Sequence, residues 1–251
     1  MTSGWPTIRP MSLRDAWEGQ AQKWIRFSST PGHDVGFWKF GLPHFLELLP
    51  PSGRLTLDVG CGEGRLPRIL RERGHTVVGV DASPTLRARA AELGSRQYVN
   101  ADAARLPIRD ARADLVVAYM SLHDIDDLEG AVSEISRVLM NGGRLCFSVL
   151  HPIGTAGAYA GRTAEAPFVI GGSYLTPRRY EFVTERNGIS MTFHSEHRPI
   201  SAYVDALSAA GLLVERLLEP PIDEAFVAKD PSEVRWRSLP VYLLVSALKS
   251  S

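Results

Sequence analysis

The sequence contains few cysteines and no excess of charge of either sign. Cys61 and Cys146 are the two cysteines among 251 residues. Each lies in or at the exit of a segment typical of a buried strand, so neither a disulfide framework nor a zinc site is indicated. Lys plus Arg and Asp plus Glu both number 28, and a chain without net positive charge is not drawn to a phosphate backbone or an anionic membrane. We therefore expect neither nucleic acid nor a membrane as a partner.

Long apolar runs are also absent. No run approaches the roughly 20 residues that cross a bilayer, and the N-terminus lacks the apolar stretch of a signal peptide. The seven histidines show no metal-ligand spacing such as a helical His-x-x-x-His. These absences predict a soluble cytoplasmic protein without a bound metal, and they leave the oligomeric state open.

Between residues 55 and 150, short β-branched runs alternate with segments of helical spacing. This alternation is typical of repeated βαβ units and a parallel sheet. The predicted strands are residues 55–60, 76–81, 96–100, 113–119 and 144–150. The predicted helices are residues 64–72, 84–93 and 127–139, and the third is predicted to stop at Asn141-Gly142-Gly143, because these residues tolerate a positive φ.

The flanking segments carry fewer signals. Residues 13–27 can form a helix with Trp17 and Trp24 on one face, which we interpret as core packing rather than ligand stacking. Residues 154–172, rich in Gly and Ala, are predicted to be a loop. Asn187-Gly188 lies between two alternating runs and predicts a hairpin with a type I′ turn over residues 178–196. A helix over residues 200–210 and strands over 212–218 and 241–248 are predicted to close the chain.

The most informative stretch runs from Leu57 to Leu66. A strand that ends in glycines and turns directly into a helix lets a ligand approach the backbone closely. Gly60, Gly62 and Gly64 fall at every second residue. The dinucleotide fingerprint needs its third glycine three positions after the second, where this chain has Arg65, so an NAD-dependent oxidoreductase is disfavoured.

Four further segments accompany the glycine turn. They are Val77-Val78-Gly79-Val80-Asp81, Asn100-Ala101-Asp102-Ala103, the strand from Ala113 to Tyr119, and the stretch from Arg137 to Gly143. With Asp58 and the glycines, they make residues 46–150 resemble the class I S-adenosylmethionine-dependent methyltransferases. Each segment alone has a structural explanation, since Asp81 can cap a helix and Asp102 can fix a turn. All five in order favour the cofactor site.

The resemblance implies a Rossmann-like, doubly wound α/β sheet of seven strands, mostly parallel with one antiparallel strand and with helices on both faces. It divides the chain into an N-terminal helical cap (1–45), an S-adenosylmethionine-binding core (46–150), a substrate lid insert with the hairpin (151–199) and a C-terminal helix and strands that complete the core (200–251).

The resemblance also assigns cofactor contacts. Asp81 would accept hydrogen bonds from both ribose hydroxyls, Asp102 would bind the adenine amino group, and the Ala103 amide would meet a ring nitrogen. The residues beneath the methionine part would be Asp58, Gly60, Cys61, Gly62 and Gly64. Ala82 and Met120 complete the expected cofactor-binding set. The product of the cofactor would be S-adenosylhomocysteine.

The acceptor is less constrained. The chain has Tyr119-Met120-Ser121-Leu122 where base-amine methyltransferases carry an Asn- or Asp-Pro-Pro-aromatic motif, so a small-molecule acceptor methylated on oxygen or nitrogen is expected. Carbon methylation, another reaction on this fold, and a cofactor-binding protein without turnover remain alternatives. Alternation in the hairpin places Tyr180, Phe182, Met191 and Phe193 on one face.

The candidate general bases are histidines. His123 follows the fourth strand, with Asp124 or Asp126 near enough to orient it, although it can instead shape the cofactor pocket. His151 at the exit of the fifth strand and His194 in the hairpin are the competing candidates. The expected pair of His194 with Glu181 can be a catalytic dyad, but an exposed ion pair is the commoner arrangement.

Overall fold

The computed structural model describes residues 11–94, 97–186, 188–222, 224–229 and 231–250. The α-helices in this part of the chain are α1 (Leu13–Ser29), α2 (Leu42–Leu48), α3 (Arg65–Glu72), α4 (Pro84–Leu93), α5 (Leu128–Val138), α6 (Pro152–Thr155), α7 (Ile200–Ala209) and α8 (Glu224–Lys229). A π-helical turn, Gly36–Gly41, precedes α2, and short 3₁₀ segments cover Leu122–Asp124 and Pro231–Arg237. The strands are β1 (Thr56–Val59), β2 (Val77–Asp81), β3 (Tyr98–Asn100), β4 (Ala113–Tyr119), β5 (Leu139–Leu150), β6 (Gly157–Tyr159), β7 (Phe168–Ile170), β8 (Arg178–Arg186), β9 (Ile189–His197), β10 (Leu212–Leu218) and β11 (Tyr242–Lys249).

Seven strands form the main sheet, in the order β10-β11-β5-β4-β1-β2-β3. β1 pairs in parallel with both β2 and β4, and β11 is antiparallel to both of its neighbours. The chain therefore moves outward in one direction from β1 to β3 and in the other from β4. In doubly wound sheets, such a reversal leaves a crevice at the carboxyl ends of the strands. The fold class expected from the sequence is confirmed.

Helices cover both faces of this sheet. Successive side chains of β4 point to opposite faces, since Val116 packs in one apolar cluster and Leu115 and Val117 pack in another. The first cluster includes the apolar sides of α5 and α7, and the second includes those of α2 and α3. Strands buried on both faces read as nearly continuous apolar runs, which explains why β4 is apolar almost throughout.

Most element predictions for the core agree with the structure, and one needs correction. The strand over residues 113–119 and the helix over residues 84–93 have the expected bounds. However, α5 ends at Val138, before Asn141-Gly142-Gly143, and β5 begins at Leu139 rather than at residue 144. Gly142 has φ +76°, so the glycine signal was real but marked an irregular start of the strand.

The insert after β5 contains more structure than expected. Residues 154–172, predicted to be a loop, include the end of α6 and the two-stranded sheet of β6 and β7. The hairpin of β8 and β9 forms as predicted, with Glu181 opposite His194 and Phe182 opposite Phe193. Gly188 has φ +75°, while Asn187 lies outside the described residues.

The N-terminal helix lies against the hairpin and against the core. The Trp17 indole donates to the His194 carbonyl oxygen at 3.0 Å. Glu18 accepts from the hydroxyls of Ser83 and Thr85 at the start of α4. α1 thus joins the insert to the sheet, although these segments are far apart in sequence. No helix in the described part of the chain is long and apolar enough to span a membrane.

Candidate functional site

A cavity of about 490 Å³ opens at the carboxyl ends of the parallel strands. Its floor consists of the segments that follow β1, β2, β3 and β4, and its cover consists of α1 and the hairpin. The predicted cofactor-binding residues that line it are Asp58, Gly60, Cys61, Gly62, Asp81, Ala82, Asp102, Ala103 and Met120. The structure thus brings together nine of the residues that the sequence separates by up to 62 positions. Gly64 is not among the lining residues.

The three glycines of the turn after β1 have different tasks. All have positive φ, between 56° and 78°, which L side chains rarely adopt. A side chain on Gly60 would collide with Ser121, and one on Gly64 would meet the Tyr98 hydroxyl at 2.5 Å. A side-chain carbon on Gly62 would instead have the Trp24 ring nitrogen as its nearest neighbour, at 3.7 Å, and Gly62 lines the cavity. Gly60 and Gly64 therefore permit close packing, and Gly62 leaves space for a ligand.

Asp81 at the end of β2 is oriented toward this turn by two backbone amides. Gly62 N donates to one carboxylate oxygen at 2.7 Å and Ser83 N donates to the other at 2.8 Å. Burial raises the pKa of Asp81 to about 6, against these two hydrogen bonds. A carboxylate accepts about four hydrogen bonds, so roughly two positions remain for a ligand's hydroxyl donors.

Asp58 and Arg65 lie on the two sides of the glycine turn, and each has buried polar atoms without a partner. One oxygen of Asp58 has none, and burial followed by repulsion from Asp81 and Glu63 raises the pKa of Asp58. Arg65 donates through Nη2 to Asp34 at 2.8 Å, but its Nε and Nη1 lack hydrogen-bond partners. Unpaired buried groups are costly, and opposite charges on either side of one turn suit a zwitterion.

Asp102 and Ala103 follow β3, at the other end of the cavity. The Asp102 carboxylate accepts from Ala104 N at 2.9 Å, so it does fix a local turn. It also lines the cavity together with Ala101 and Ala103. The structural task and the predicted adenine contact are therefore compatible, because one carboxylate oxygen holds the turn and the side chain still faces the ligand space.

Met120 occupies a strained position directly after β4. Its φ is +56°, which for a side chain with a Cβ costs about 1–2 kcal/mol. The Met120 amide donates to Ser148 O at 2.8 Å. The hydroxyl of the following residue, Ser121, donates to Val59 O at 2.6 Å. The bend directs the following segment, with His123 and Asp124, along the cavity wall.

His123 lies in that wall and is 4% exposed. Burial, with a smaller effect of Arg198, lowers its pKa to about 3, so the ring is neutral near pH 7. Its Nε2 is 3.5 Å from Asp124, which is too long for a hydrogen bond, and Nδ1 has no partner. Asp126 does not orient the ring, because it accepts from the Leu13 amide and pairs with Arg179. A base that holds a proton so weakly is inefficient, and the catalytic role of His123 stays a prediction.

The other two histidine candidates lie outside the cavity lining. His151 Nδ1 accepts from Ile153 N at 3.1 Å, and Nε2 lies 2.7 Å from Glu219. These contacts cap α6 and tie β5 to the segment after β10. His194 pairs with Glu181 at 2.9 Å across the hairpin, as expected from the register. Both rings are thus engaged in structural contacts, and their catalytic roles also stay predictions.

Aromatic side chains form the cover of the cavity. Phe193 stacks on Phe182 at 4.5 Å between ring centroids and contacts Trp17 and Trp24 edge-on at 6.0 Å. The Trp24 indole donates to Glu63 at 2.8 Å. Both tryptophans pack against other rings but are half-buried and also line the cavity. Their interpretation as core packing rather than ligand stacking stays a prediction.

Several lining residues had no sequence signal. Asp34, Phe37 and Tyr242 come from the π-helical turn region and β11. The guanidinium of Arg65 stacks on the Phe37 ring at 3.5 Å from its centroid. Arg65 was noticed only as the residue that breaks a dinucleotide fingerprint. Its approach to Asp34 joins positions 31 residues apart, and periodicity does not report such contacts.

The cavity is acidic. Among described residues, seven aspartates and two arginines line it. Such a lining favours a cationic or zwitterionic ligand over the pyrophosphate of a dinucleotide. The aspartates are Asp34, Asp58, Asp81, Asp102, Asp124, Asp126 and Asp127, and the arginines are Arg14 and Arg65.

The similarity of this chain to known proteins lies in the region that contains the strand ends lining the cavity. A family model described as a methyltransferase domain matches residues 57–147. The malonyl-[acyl-carrier protein] O-methyltransferase of Pseudescherichia vulneris is 37% identical over 96 residues, so the match spans 38% of this chain and only 38% of that protein.

Solved structures extend the likeness beyond the matched region. The S-adenosylmethionine dependent methyltransferase from Mesorhizobium loti is 26% identical, with a TM-score of 0.69, over 86% of this chain and 98% of that one. The [4+2]-cyclase SpnF covers 99% of both chains with a TM-score of 0.63, but at 19% identity it shows the fold alone. The matched domain and the structural likeness show that residues 57–147 are a methyltransferase domain of the S-adenosylmethionine-dependent kind, and that the surrounding fold is the one such proteins share.

Proposed function

We propose that this protein transfers the methyl group of S-adenosylmethionine to oxygen or nitrogen of a small molecule held between the glycine turn and the hairpin. The observation that carries the proposal is one continuous cavity whose floor holds the cofactor motifs and whose cover is aromatic. Methyl transfer needs alignment of donor and acceptor, and a base where the acceptor must lose a proton.

The proposed cofactor contacts follow from hydrogen-bonding positions of the lining residues that no protein group uses. Asp81 has two acceptor positions left for the ribose hydroxyls. Asp58 would face the α-ammonium and Arg65 the carboxylate of the methionine part, since Asp58 has a buried carboxylate oxygen and Arg65 a buried Nη1 without a hydrogen-bond partner. Gly62 leaves the space between them. Asp102 and Ala103 would take the adenine, and Cys61, Ala82 and Met120 the van der Waals contacts.

The size of the cavity supports a small acceptor. A volume of about 490 Å³ lies within the range usual for small-molecule sites, and it has to hold the cofactor as well. The name of the Pseudescherichia relative gives a carrier-protein substrate, but that similarity spans a minority of both chains. α1 and the hairpin, which form the acceptor side, lie outside the matched residues 57–147.

The test has two stages. Calorimetry compares S-adenosylhomocysteine with NAD, and we expect micromolar affinity for the first and none measurable for the second. Deuterated-methyl S-adenosylmethionine is then incubated with the protein and a metabolite extract, and mass spectrometry searches for products heavier by the labelled methyl group. Tight NAD binding would reject the cofactor assignment, and a labelled protein or nucleic acid in place of a small molecule would reject the acceptor class.

A further inference from the structure

One carboxyl group on the acceptor side of the cavity has no counter-charge. Asp124 follows β4, faces the cavity and is 13% exposed. Its Oδ1 accepts from the Ser195 hydroxyl of β9 at 2.6 Å. In the described part of the chain it forms no ion pair with Lys or Arg, and the nearest cationic candidate, His123, lies 3.5 Å away and is neutral.

The other acids on this side are already paired. Asp34 forms an ion pair with Arg65 at 2.8 Å, and Asp126 forms one with Arg179. Asp127 caps α5 by accepting from Gly130 N at 2.8 Å. Among the described residues, Asp124 is therefore the acid in this wall that accepts from a hydroxyl but forms no ion pair with Lys or Arg. Burying a carboxylate without a counter-charge is unfavourable, so a cationic ligand would complete the site.

The surroundings of Asp124 make its carboxyl group a weak acid. Burial raises its pKa to about 8, against the hydrogen bond from Ser195 and the attraction of Arg198. The charge of Arg198 is largely used elsewhere, since its guanidinium donates to Glu196 at 2.6 Å and to the Ile125 carbonyl oxygen at 2.7 Å. The titratable or charged side chains that face Asp124 are His123, Tyr180, Arg198 and Tyr203. Burial raises the pKa of both tyrosines, so they stay neutral.

We infer that the acceptor is a primary or secondary amine on a flat apolar body, and that Asp124 binds its ammonium form and takes its proton. This inference rests on the proposed function and narrows the acceptor atom to nitrogen. The aromatic cover of Phe182, Phe193 and Trp17 suits a flat body and stabilises a nearby cation. A carboxylate acceptor would gain no opposite charge from Asp124 and would further disfavour its ionised form in a buried site.

The proton balance is simple. An ammonium nitrogen has no lone pair, so it first gives one proton to the Asp124 carboxylate. The freed lone pair then forms the nitrogen–methyl bond while the carbon–sulfur bond breaks, and its electron pair stays on sulfur to give S-adenosylhomocysteine. The product nitrogen regains a positive charge, and Asp124 releases its proton to water.

The experiment uses the full-length protein saturated with S-adenosylhomocysteine and two matched probe series. Phenethylamine, 2-phenylethanol and 3-phenylpropanoate share a body, as do tryptamine, indole-3-ethanol and indole-3-propanoate. Calorimetry should show that at least one amine binds about tenfold or more tightly than its alcohol and its acid. Asp124→Asn should remove that preference and leave the affinity for S-adenosylhomocysteine within about twofold. The control Glu129→Gln, which removes an exposed acid on α5, should keep it.

A second measurement needs no variant. Because the free carboxyl is largely protonated near pH 7 and the bound ammonium favours its ionised form, amine binding should release close to one proton. Titrations in phosphate and Tris, which differ in ionisation enthalpy, report that release. An acid probe that binds as tightly as its amine, no amine preference in either series, no proton release, or a preference that survives in a folded Asp124→Asn protein would each overturn the inference. Failure of S-adenosylhomocysteine to bind the unaltered protein would instead reject the proposed function.

Discussion

The two sides of the cavity are built in different ways. The side proposed to hold the cofactor comes from consecutive strand ends within residues 57–120, and each of its side chains lies near the end of the strand that positions it or just after that strand. The acceptor side joins α1, the π-helical turn, the hairpin and β11, with contacts such as Trp17 to His194 across 177 positions. The first side is a property of local motifs on a rigid sheet, and the second is a property of tertiary packing.

This difference assigns different tasks to the two sides. A sheet edge keeps its geometry when surface segments change, which suits the binding of one constant cofactor. The acceptor side is tied to the core by side-chain contacts, among them Glu18 to α4 and Trp24 to Glu63. We expect substitutions on the cofactor side to lower cofactor affinity, and substitutions on the acceptor side to lower acceptor affinity alone.

The largest expected effect is on the cofactor side. Asp81→Ala removes the acceptor of two ribose hydroxyls in the proposed complex, and it should weaken S-adenosylhomocysteine binding by roughly 30- to 150-fold, or about 2–3 kcal/mol. Calorimetry measures the dissociation constant. Asp205→Ala, which removes an exposed acid on α7, is the control and should change nothing. An unaltered constant for Asp81→Ala would remove the ribose assignment.

The cofactor side was also the side that the sequence could predict. Asp58, Asp81 and Asp102 lie at fixed offsets from strands whose apolar runs are recognisable, so position in the sequence gives position in the fold. The acceptor side offers no such relation. The position of Asp124 on that side depends on Ser195 in a distant hairpin, and Arg65, although proposed to bind the cofactor, likewise depends on contacts with Asp34 and Phe37. Their partners are set by packing, which single-sequence periodicity does not describe.

The removal of one aromatic ring should weaken acceptor binding more than cofactor binding. Phe193→Ala deletes the ring that touches Phe182, Trp17 and Trp24. We expect the KM of the acceptor identified by the isotope assay to rise by about tenfold, because the ring supplies apolar contact area. The S-adenosylhomocysteine affinity should stay within about threefold, as measured by calorimetry. Equal losses for both ligands would mean that the cover belongs to the cofactor site as much as to the acceptor site.

Acid should weaken the cofactor side through Asp81. Its pKa of about 6 in the free protein means that the carboxylate, the form that accepts two hydroxyl donors, is lost as the pH falls through that value. The dissociation constant of S-adenosylhomocysteine should therefore rise below about pH 6, by up to tenfold per pH unit. Asp81→Asn, titrated over the same range from pH 5 to 7.5, should show weak binding throughout and a flatter curve. A parallel decline in both proteins would point to another group.

A smaller effect is expected where α1 is tied to the core. Glu18→Gln removes the charge that accepts from Ser83 and Thr85 at the start of α4. Loosening this tether should shift the emission of Trp17 and Trp24 to longer wavelength and weaken acceptor binding by about threefold. Asp15→Asn, in the exposed first turn of the same helix, is the control. If the emission is unchanged, α1 is held mainly by its aromatic contacts.

The smallest effect is expected on the outer face of the hairpin. His194 pairs with Glu181, whose side chain is 36% exposed, and such cross-strand pairs contribute about 0–1 kcal/mol. The His194 ring points away from the cavity that Phe193 lines, because neighbouring residues of a strand face opposite sides. His194→Gln should therefore lower the midpoint of thermal unfolding by no more than a few degrees and leave turnover within about twofold. A general base would instead lose roughly 100-fold in turnover with cofactor affinity intact. That second result would place proton transfer on the hairpin and would separate it from Asp124.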